Sequence, residues 1–449
     1  MTPKGLRAQR RSERHALVVL LNGTRVGDIY QSSSGTLRFV YLEEWRKDKS
    51  AVPLSLSMPL TAQEHRHEPI TAFLWGLLPD NTRTLDHYSR LFGVSARNPV
   101  TLLAHLGADC AGAVQFAPPE LAQDLEGSPS RADRIEWLTE REVAKELKTV
   151  REQGIPGTSR NTVGQFSLAG AQPKIALIQD NGKWGQPNGR IPTNRILKPP
   201  SGEFRSFAEN EHFCLELAAQ MALGSVTSRL VRFSEEVAIV VERYDRERRG
   251  RTWIRIHQED VCQALGIMPT RKYENEGGPG IPDIITLLRE ASTKPEEDIE
   301  RFLRAMTLNW VIAATDAHAK NYSLLLGSSG VRLAPFYDII SYLPYTDDSL
   351  HRVKLAMRIG SEYLVKRVNR RSWAALAKRS RLSEGFVIEL VVRVIDMLPS
   401  AVDGAAARAL EQGLDGSFVE RLHERMHQRI GRCREMMMNS SSLGTAVEG

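Results

Sequence analysis

Cysteine is scarce in this 449-residue chain: four occur, at 110, 214, 262 and 433, and no two stand at metal-ligand or redox spacing. Scattered single thiols argue against a disulfide scaffold and a cysteine-rich zinc site, and they fit a reducing compartment. Long apolar runs are lacking as well. No stretch reaches the roughly 18–20 consecutive apolar residues that a membrane-spanning helix needs. Basic residues from Lys4 to Arg14 do precede an apolar run at 16–21, as in a leader peptide. That run stops at Asn22-Gly23-Thr24-Arg25, which is short for a signal core and offers no small-residue cleavage site. We read 1–14 as a basic tail entering a first strand that turns at Asn22-Gly23, and expect a cytoplasmic protein with no membrane partner. No internal repeat is visible.

What the chain does have is ordinary globular composition, 41% hydrophobic and 25% charged, in a length that allows two or three cores. Its formal charge of +6 is unevenly placed. Residues 351–381 hold ten Lys/Arg against one acid, Glu362, so this stretch alone makes the protein basic. Such clustering is the electrostatic footprint of polyanion binding, and equally of a solvated basic helix face.

Periodicity predicts an early region rich in strands and a late region rich in helices. Residues 15–118 read as a small α/β unit, with strands at 16–21 and 36–41 and helices at 72–78, 82–92 and 98–105. Residues 119–135, rich in Pro, Ser and acids, read as a linker. A second α/β region, 136–247, places strands at 175–179, 195–198 and 237–242 and a helix at 209–223. From 248 to 438 amphipathic stretches dominate, at 282–290, 297–314, 371–377, 384–397 and 418–438. The Ser/Gly-rich end, 439–449, reads as a frayed tail. The expected fold class is α+β: a two-lobed, protein-kinase-like arrangement with a mixed α/β N-terminal lobe, an extra N-terminal subdomain and an all-helical C-terminal lobe.

The stretch with the most chemistry is Thr315-Asp316-Ala317-His318-Ala319-Lys320-Asn321, followed by Pro335-Phe336-Tyr337-Asp338. Phosphoryl transfer from ATP needs a carboxylate to orient the hydroxyl nucleophile and oxygen ligands for Mg²⁺. Protein kinases place the catalytic Asp five residues before a metal-binding Asn, with a second metal Asp further on. Asp316, Asn321 and Asp338 repeat that spacing, and an all-oxygen ligand set suits Mg²⁺ rather than zinc. The same residues would also serve as caps and turns between a helix and a strand. A hydrolase built on Asp316-x-His318 is a further reading, though no second His-rich cluster completes it.

Three upstream clusters fit the first. Ser167-Leu168-Ala169-Gly170-Ala171-Gln172-Pro173-Lys174 is a small-residue loop ahead of a strand, where backbone N–H groups and a lysine can approach phosphates; alone it is more often a turn, and it is not a Walker A motif. Lys198 ends a strand and precedes a helix carrying Glu209 and Glu211, as in the kinase lysine–glutamate pair; the alternative is a surface lysine. The strand 237–241 leads into Glu242-Arg243-Tyr244-Asp245, an extended segment able to face adenine, or simply a strand end. Together they occur in the order a bilobal kinase requires.

At this point the chain resembles the HipA kinases. The resemblance rests on residues 167–174, Val241-Glu242-Arg243-Tyr244-Asp245, Gln258-Glu259-Asp260-Val261-Cys262-Gln263, Gly277-Gly278-Pro279-Gly280-Ile281, residues 314–321 and residues 335–341, with Phe73-Leu74-Trp75-Gly76-Leu77-Leu78-Pro79-Asp80-Asn81 resembling the N-terminal domain of full-length members. It spans about 17–400. It implies a serine/threonine kinase toxin with Asp316 as catalytic base, His318 and Lys320 beside it near the γ-phosphate, and Asn321 and Asp338 on Mg²⁺. It implies that Lys174 and Lys198 contact ATP phosphates, that Ala169, Gly170, Ala171, Gln172 and Pro173 cradle them, and that Glu242, Arg243 and Tyr244 hold adenine. Ser167 matches the serine that family members autophosphorylate, which swings the loop out and silences the enzyme. Two departures stand out: Pro173 occupies a position often held by Glu, and residues 1–14 have no family counterpart.

Family members are silenced by a small helix-turn-helix antitoxin, HipB, and the complex binds operator DNA. For the kinase's own phosphate contacts the resemblance leaves the basic stretch, including Lys366, Arg367, Arg370 and Arg371, with Lys378, Arg379 and Arg381 as the closest candidates. The target the family suggests is an aminoacyl-tRNA synthetase, the glutamyl enzyme, whose phosphorylation induces dormancy. The competing expectation is a catalytically silent corepressor that binds operator DNA with its antitoxin.

Overall fold

The computed structural model describes residues 13–129, 133–154, 166–167, 169–188, 190–200, 206–346 and 349–438. The predicted tails therefore lie outside the described residues, except Glu13 and Arg14. The chain divides into two compact units. The first gathers 1–201, 231–270 and 323–334, and the second gathers 202–230, 271–322 and 335–449. No helix among the described residues is long and apolar enough to cross a membrane.

The first unit starts with an antiparallel sheet of order β4-β3-β2-β1-β5, built from β1 (Arg14–Leu21), β2 (Thr24–Gln31), β3 (Leu37–Tyr41), β4 (Glu64–Arg66) and β5 (Val114–Ala117). The β1–β2 turn has positive φ at both Asn22 (49°) and Gly23 (79°), the backbone an Asn-Gly hairpin turn requires. A Cβ on Gly23 would sit 2.3 Å from the Gly127 carbonyl oxygen, so glycine is needed there on two counts.

The continuous apolar run of β1 follows from burial on both faces. Leu17, Val19 and Leu21 enter the main core with Phe39, Phe73 and Leu103, whereas Val18 and Leu20 face a second cluster containing Ala122 and Leu125. The stretch expected to be a linker is thus folded in part: Pro119–Asp124 is a 3-10 helix that covers the back of β1.

A second sheet in this unit runs β10-β11-β9-β7-β8-β6, from β6 (Ile135–Leu138), β7 (Ile175–Asp180), β8 (Lys183–Pro187), β9 (Arg195–Lys198), β10 (Ser228–Phe233) and β11 (Glu236–Glu242). The helix Glu140–Gln153 starts with a capping box at Thr139 and Glu142 and ends at Gly154 in the left-handed conformation. Its Val143, Leu147 and Val150 recur at helical spacing and pack on Ile175, Leu177, Leu197 and Val240. A hairpin, β12 (Arg246–Arg249) with β13 (Thr252–Arg255), and a small sheet, β14 (Gln258–Asp260), β15 (Ser323–Gly327) and β16 (Gly330–Leu333), complete the unit.

The second unit is mostly helical, with helices Phe207–Gln220, Ile281–Ala291, Pro295–Val311, Arg370–Arg379, Glu384–Glu411 and Gly416–Met438, and one two-stranded ribbon, β17 (Lys354–Ile359) with β18 (Glu362–Leu364). Periodicity ends the fifth helix at 397, just before Pro399, yet it continues to Glu411 with the proline inside. The lost N–H and ring clash of a helical proline cost about 3 kcal/mol. The buried face that continues past it, Ala401, Val402, Ala405 and Ala409, offsets that cost.

Candidate functional site

In the second unit the polar cluster 315–321 is delivered by the end of the helix Pro295–Val311, whose last turn is fixed from several sides. The Trp310 indole N–H donates to the Val365 carbonyl at 3.1 Å, and the Ser341 hydroxyl donates to the Ile312 carbonyl at 2.7 Å. Ala313 takes φ of 53°, which stops the helix, and the Ala314 N–H returns to the Asn309 carbonyl at 2.8 Å. The chain leaves the buried helix at this point, and Asp316 stands in solvent with its side chain 72% exposed.

The loop closes on the Asp316 backbone. Its carbonyl accepts from the His318 N–H at 2.9 Å and from the Asn321 side-chain Nδ2 at 2.7 Å. The second contact uses the nitrogen of the Asn321 amide and leaves its Oδ1, the atom able to accept or to ligate a cation, outside this bond. Tyr337 donates its hydroxyl to the Lys320 carbonyl at 2.8 Å, which brings the 335–338 segment to the loop. That segment is also tied to 224–226: Phe336 donates to the Gly224 carbonyl and its own carbonyl accepts from Val226, both at 2.9 Å. Asp338, half-buried, has φ of 52°, a conformation costly for most residues but tolerated by Asp. Asp316, Asn321 and Asp338 are therefore carried by two segments joined through Tyr337 and Lys320, and Lys320 is itself buried.

Two further groups shape the loop. His318 is buried, and burial pushes its pKa down to about 4, so the ring is neutral at ordinary pH. Its Nδ1 is buried and has no hydrogen-bond partner among the described residues. The other group is Tyr273, which the motif reading missed. Its hydroxyl donates to Asp316 Oδ1 at 2.6 Å, and its ring meets the His318 ring edge-on, with centroids 4.9 Å apart. The flanking residues explain its position: the Lys272 carbonyl accepts from the Ala319 N–H at 3.3 Å, and the Glu274 carboxylate accepts from the Arg358 N–H of β17 at 2.7 Å. Behind it the chain folds tightly enough that a Cβ on Gly278 would lie 2.0 Å from the Arg271 carbonyl oxygen. The Gly277-Gly278 pair is the one local signal that the preceding residues are held in a special turn.

The first unit carries the remaining candidates. Lys198 is buried at the end of β9, in register with Ile239 of β11. Glu209 and Glu211 belong to the second unit, on the helix Phe207–Gln220. In the small-residue loop, Gly170 has φ of 101°, and Lys174 Nζ donates to the Ala169 carbonyl at 2.7 Å. Gln172 and Pro173 line a cleft in this unit together with Pro79, Thr84 and Tyr88. The loop rests on the N-terminal domain, where the Asp80 N–H donates to the Gly170 carbonyl at 3.2 Å. Ser167 is buried, its hydroxyl donating to the Leu77 carbonyl at 2.7 Å and its N–H to the Asp109 carbonyl at 3.1 Å. Residues 155–165 and Leu168, around this serine, lie outside the described residues.

At the end of β11, Glu242 is exposed and pairs with Arg195 at 2.8 Å. Arg243 turns inward: its guanidinium meets Asp245 at 2.8 Å and the Thr193 hydroxyl at 2.9 Å, and its N–H donates to the Asn194 carbonyl. Asp109 receives Arg246 at 2.8 Å and Arg255 at 3.0 Å in the same buried network. Burial alone would raise the Asp109 pKa, but the three guanidinium groups hold it well below the usual carboxylate range. The Tyr244 hydroxyl donates to Gln258 at 2.6 Å. Lys378, Arg379 and Arg381 are exposed at and just beyond the end of the helix Arg370–Arg379, where Arg379 also donates to the Gly360 carbonyl at 2.7 Å.

Oxygen donors on Asp316, Asn321 and Asp338 are the chemistry a hard divalent cation takes. Comparison with known proteins agrees with a phosphotransferase. The model of the HipA-like C-terminal domain matches residues 166–402, and that of the HipA N-terminal domain matches 17–117. "Putative kinase Y4mE" of Sinorhizobium fredii is 36% identical over 400 residues, 89% of this chain and 93% of that one. "Serine/threonine-protein kinase toxin HipA" of Shewanella oneidensis is 27% identical over 397 residues, 85% of this chain and 87% of that one. The solved complex of the Shewanella oneidensis toxin–antitoxin system HipA, HipB and operator DNA contains a chain of the same fold, with a TM-score of 0.77 at 24% identity, covering 93% of this chain and 97% of that one.

Proposed function

Because the chain belongs to the HipA family, we propose that it is a serine/threonine-protein kinase toxin, which moves the ATP γ-phosphate to a protein serine and is restrained by a HipB-like antitoxin. The observation that carries this reading is the loop 316–321, with an exposed carboxylate at Asp316 oriented by Tyr273 and closed by Asn321. In the proposed reaction Asp316 accepts the proton of the attacking hydroxyl as the bond from that oxygen to the γ-phosphorus forms and the bond to the leaving ADP oxygen breaks. Asn321 and Asp338 would hold Mg²⁺, which offsets phosphate charge when bound. Lys320 and neutral His318 flank the transferring group, and Lys174, Lys198 and the 169–174 loop take the phosphates. Glu242 and Tyr244 are the adenine candidates. Arg243 would act there by bracing the segment, since its side chain and N–H are both engaged.

The state of Ser167 supports self-limitation. Its hydroxyl is a donor to the Leu77 carbonyl. A phosphoserine loses that donor and places about −1.5 to −2 charges against a carbonyl oxygen. The modified loop could not return to this seat. In the cell we place the protein in the cytoplasm, with operator DNA reached through the antitoxin complex. The target is a protein serine, and an aminoacyl-tRNA synthetase is the class the family suggests.

The test is phosphate incorporation from labelled ATP with Mg²⁺, comparing the wild type with Asp316→Gln and mapping the site. Labelling of Ser167 in the wild type alone supports the reading. Absence of labelling in both, with ATP binding intact, would favour the silent DNA corepressor, for which the exposed Lys378, Arg379 and Arg381 speak.

A further inference from the structure

Far from the kinase residues in sequence, the last two helices of the second unit form a hairpin: Glu384–Glu411 is joined to Gly416–Met438 by four residues. About two turns before the first helix ends stands Asp403, and about two and three turns into the second stand His423 and His427. The two histidines are one helical turn apart and share a face. Each Nε2 lies 2.8 Å from the same atom, Asp403 Oδ1, and the two rings approach to 4.4 Å between centroids. One ligand atom from each residue falls within 4.8 Å of the other two.

We propose that Asp403, His423 and His427 form a site for a borderline divalent transition-metal ion, of which Zn²⁺ is the natural example, clamping the two helices of the hairpin together. Two imidazole nitrogens and one carboxylate oxygen are a donor set suited to Zn²⁺, Co²⁺ or Ni²⁺ and poorly suited to Mg²⁺, which takes oxygens. Around a tetrahedral Zn²⁺, with bonds of about 2.0–2.1 Å, ligand atoms stand roughly 3.3 Å apart. The observed 2.8 Å separations need to open by only about half an ångström, a side-chain adjustment. The side chains are 60%, 35% and 34% exposed for Asp403, His423 and His427, so an ion reaches them without unfolding. Three protein ligands leave one position for water or for a donor from a bound partner.

The alternative is that both rings simply donate N–H to one carboxylate oxygen. The two differ in their response to metal. The full-length protein, stripped with chelator and kept in excess Mg²⁺ so that oxygen-donor sites are filled, is titrated with Co²⁺. The expected result is one equivalent bound with visible ligand-field bands, displaced by Zn²⁺, and a melting temperature raised by Zn²⁺ by a few degrees. Asp403→Asn and, separately, the pair His423→Gln/His427→Gln should each weaken binding at least about tenfold and abolish the Zn²⁺-dependent rise, with circular dichroism unchanged. Co²⁺ binding that both variants retain in full would place the ion elsewhere and overturn the proposal. Wild-type protein that takes up no Co²⁺ and shows no Zn²⁺-dependent rise would leave a hydrogen-bonded triad only, and would overturn it too.

Discussion

Tyr273 and Asp316 are separated by more than forty residues, yet the tyrosine hydroxyl donates to the aspartate carboxylate at 2.6 Å. No other hydrogen bond among the described residues reaches that carboxylate. Its exposure would otherwise leave it free to rotate, and the general base proposed at this position works only when held in line with the proton it takes.

Tyr273→Phe should therefore lower kcat about tenfold to a hundredfold, the kinetic equivalent of a charge-assisted hydrogen bond, while leaving KM for ATP near the wild-type value. The ring stays edge-on to His318, so the fold should be preserved. Steady-state kinetics on a model protein substrate checks this. A KM effect with unchanged kcat would count against a positioning role.

Ser167 supplies a second test. Ser167→Ala removes the hydroxyl that donates to Leu77, at a stability cost of about 1 kcal/mol, and removes the phosphate acceptor. In the wild type, transfer to a protein substrate should slow as Ser167 fills. In Ser167→Ala the progress curve should stay linear, and Ser167→Asp should be inactive from the start because a charge cannot occupy the seat. Parallel curvature in wild type and Ser167→Ala would remove Ser167 from the regulation.

These pairings also mark what the sequence can disclose. The helix Thr82–Phe92 and the strand Arg195–Lys198 are legible to the residue, because capping, turn and apolar period all act within a few positions. The spacing of Asp316 and Asn321 is legible because one loop carries both. Tyr273 on Asp316, Ser167 on Leu77, and Arg243, Arg246 and Arg255 around Asp109 are not. Each joins segments tens of residues apart or more, and no local period encodes such a pairing. Pro399 misleads in the opposite direction, because packing of the later Ala face outweighs a local breaker.

The basic stretch makes a prediction of its own. If Lys378, Arg379 and Arg381 touch operator phosphates, their triple replacement by Ala in the purified antitoxin complex should weaken DNA binding uniformly across sequences. The slope of log K against log salt should fall by up to about 0.9 for each phosphate no longer neutralised. Kinase activity should be unchanged. Binding measured at several salt concentrations decides it, and an unchanged slope would assign these residues to a solvated helix face.

The last prediction concerns Glu259, which lies in one of the family-like motifs yet does structural work. It is fully buried, one carboxyl oxygen accepts the Leu56 N–H at 2.8 Å, and the other has no partner among the described residues. Burial, with Asp260 adding to it, pushes its pKa up to about 8. Between its unfolded value near 4.5 and about 8 the native state holds a proton that the unfolded chain releases. Stability from this group is therefore full at low pH and is lost as pH rises through that window. His257 acts in the opposite sense: burial pushes it down to about 4, so acidification from about 6.5 to 4 favours the unfolded chain. The two trends overlap in the wild type, and a difference measurement separates them. Glu259→Gln cannot titrate, and its amide brings an offset that does not vary with pH. The stability of the variant relative to wild type should thus rise by several kcal/mol from about pH 5 to pH 8, read from denaturant midpoints at constant m-value. A difference that stays flat over that range would mean that Glu259 is ionised in the folded protein and that water or a rearranged Ser55–Ser57 loop satisfies its second oxygen.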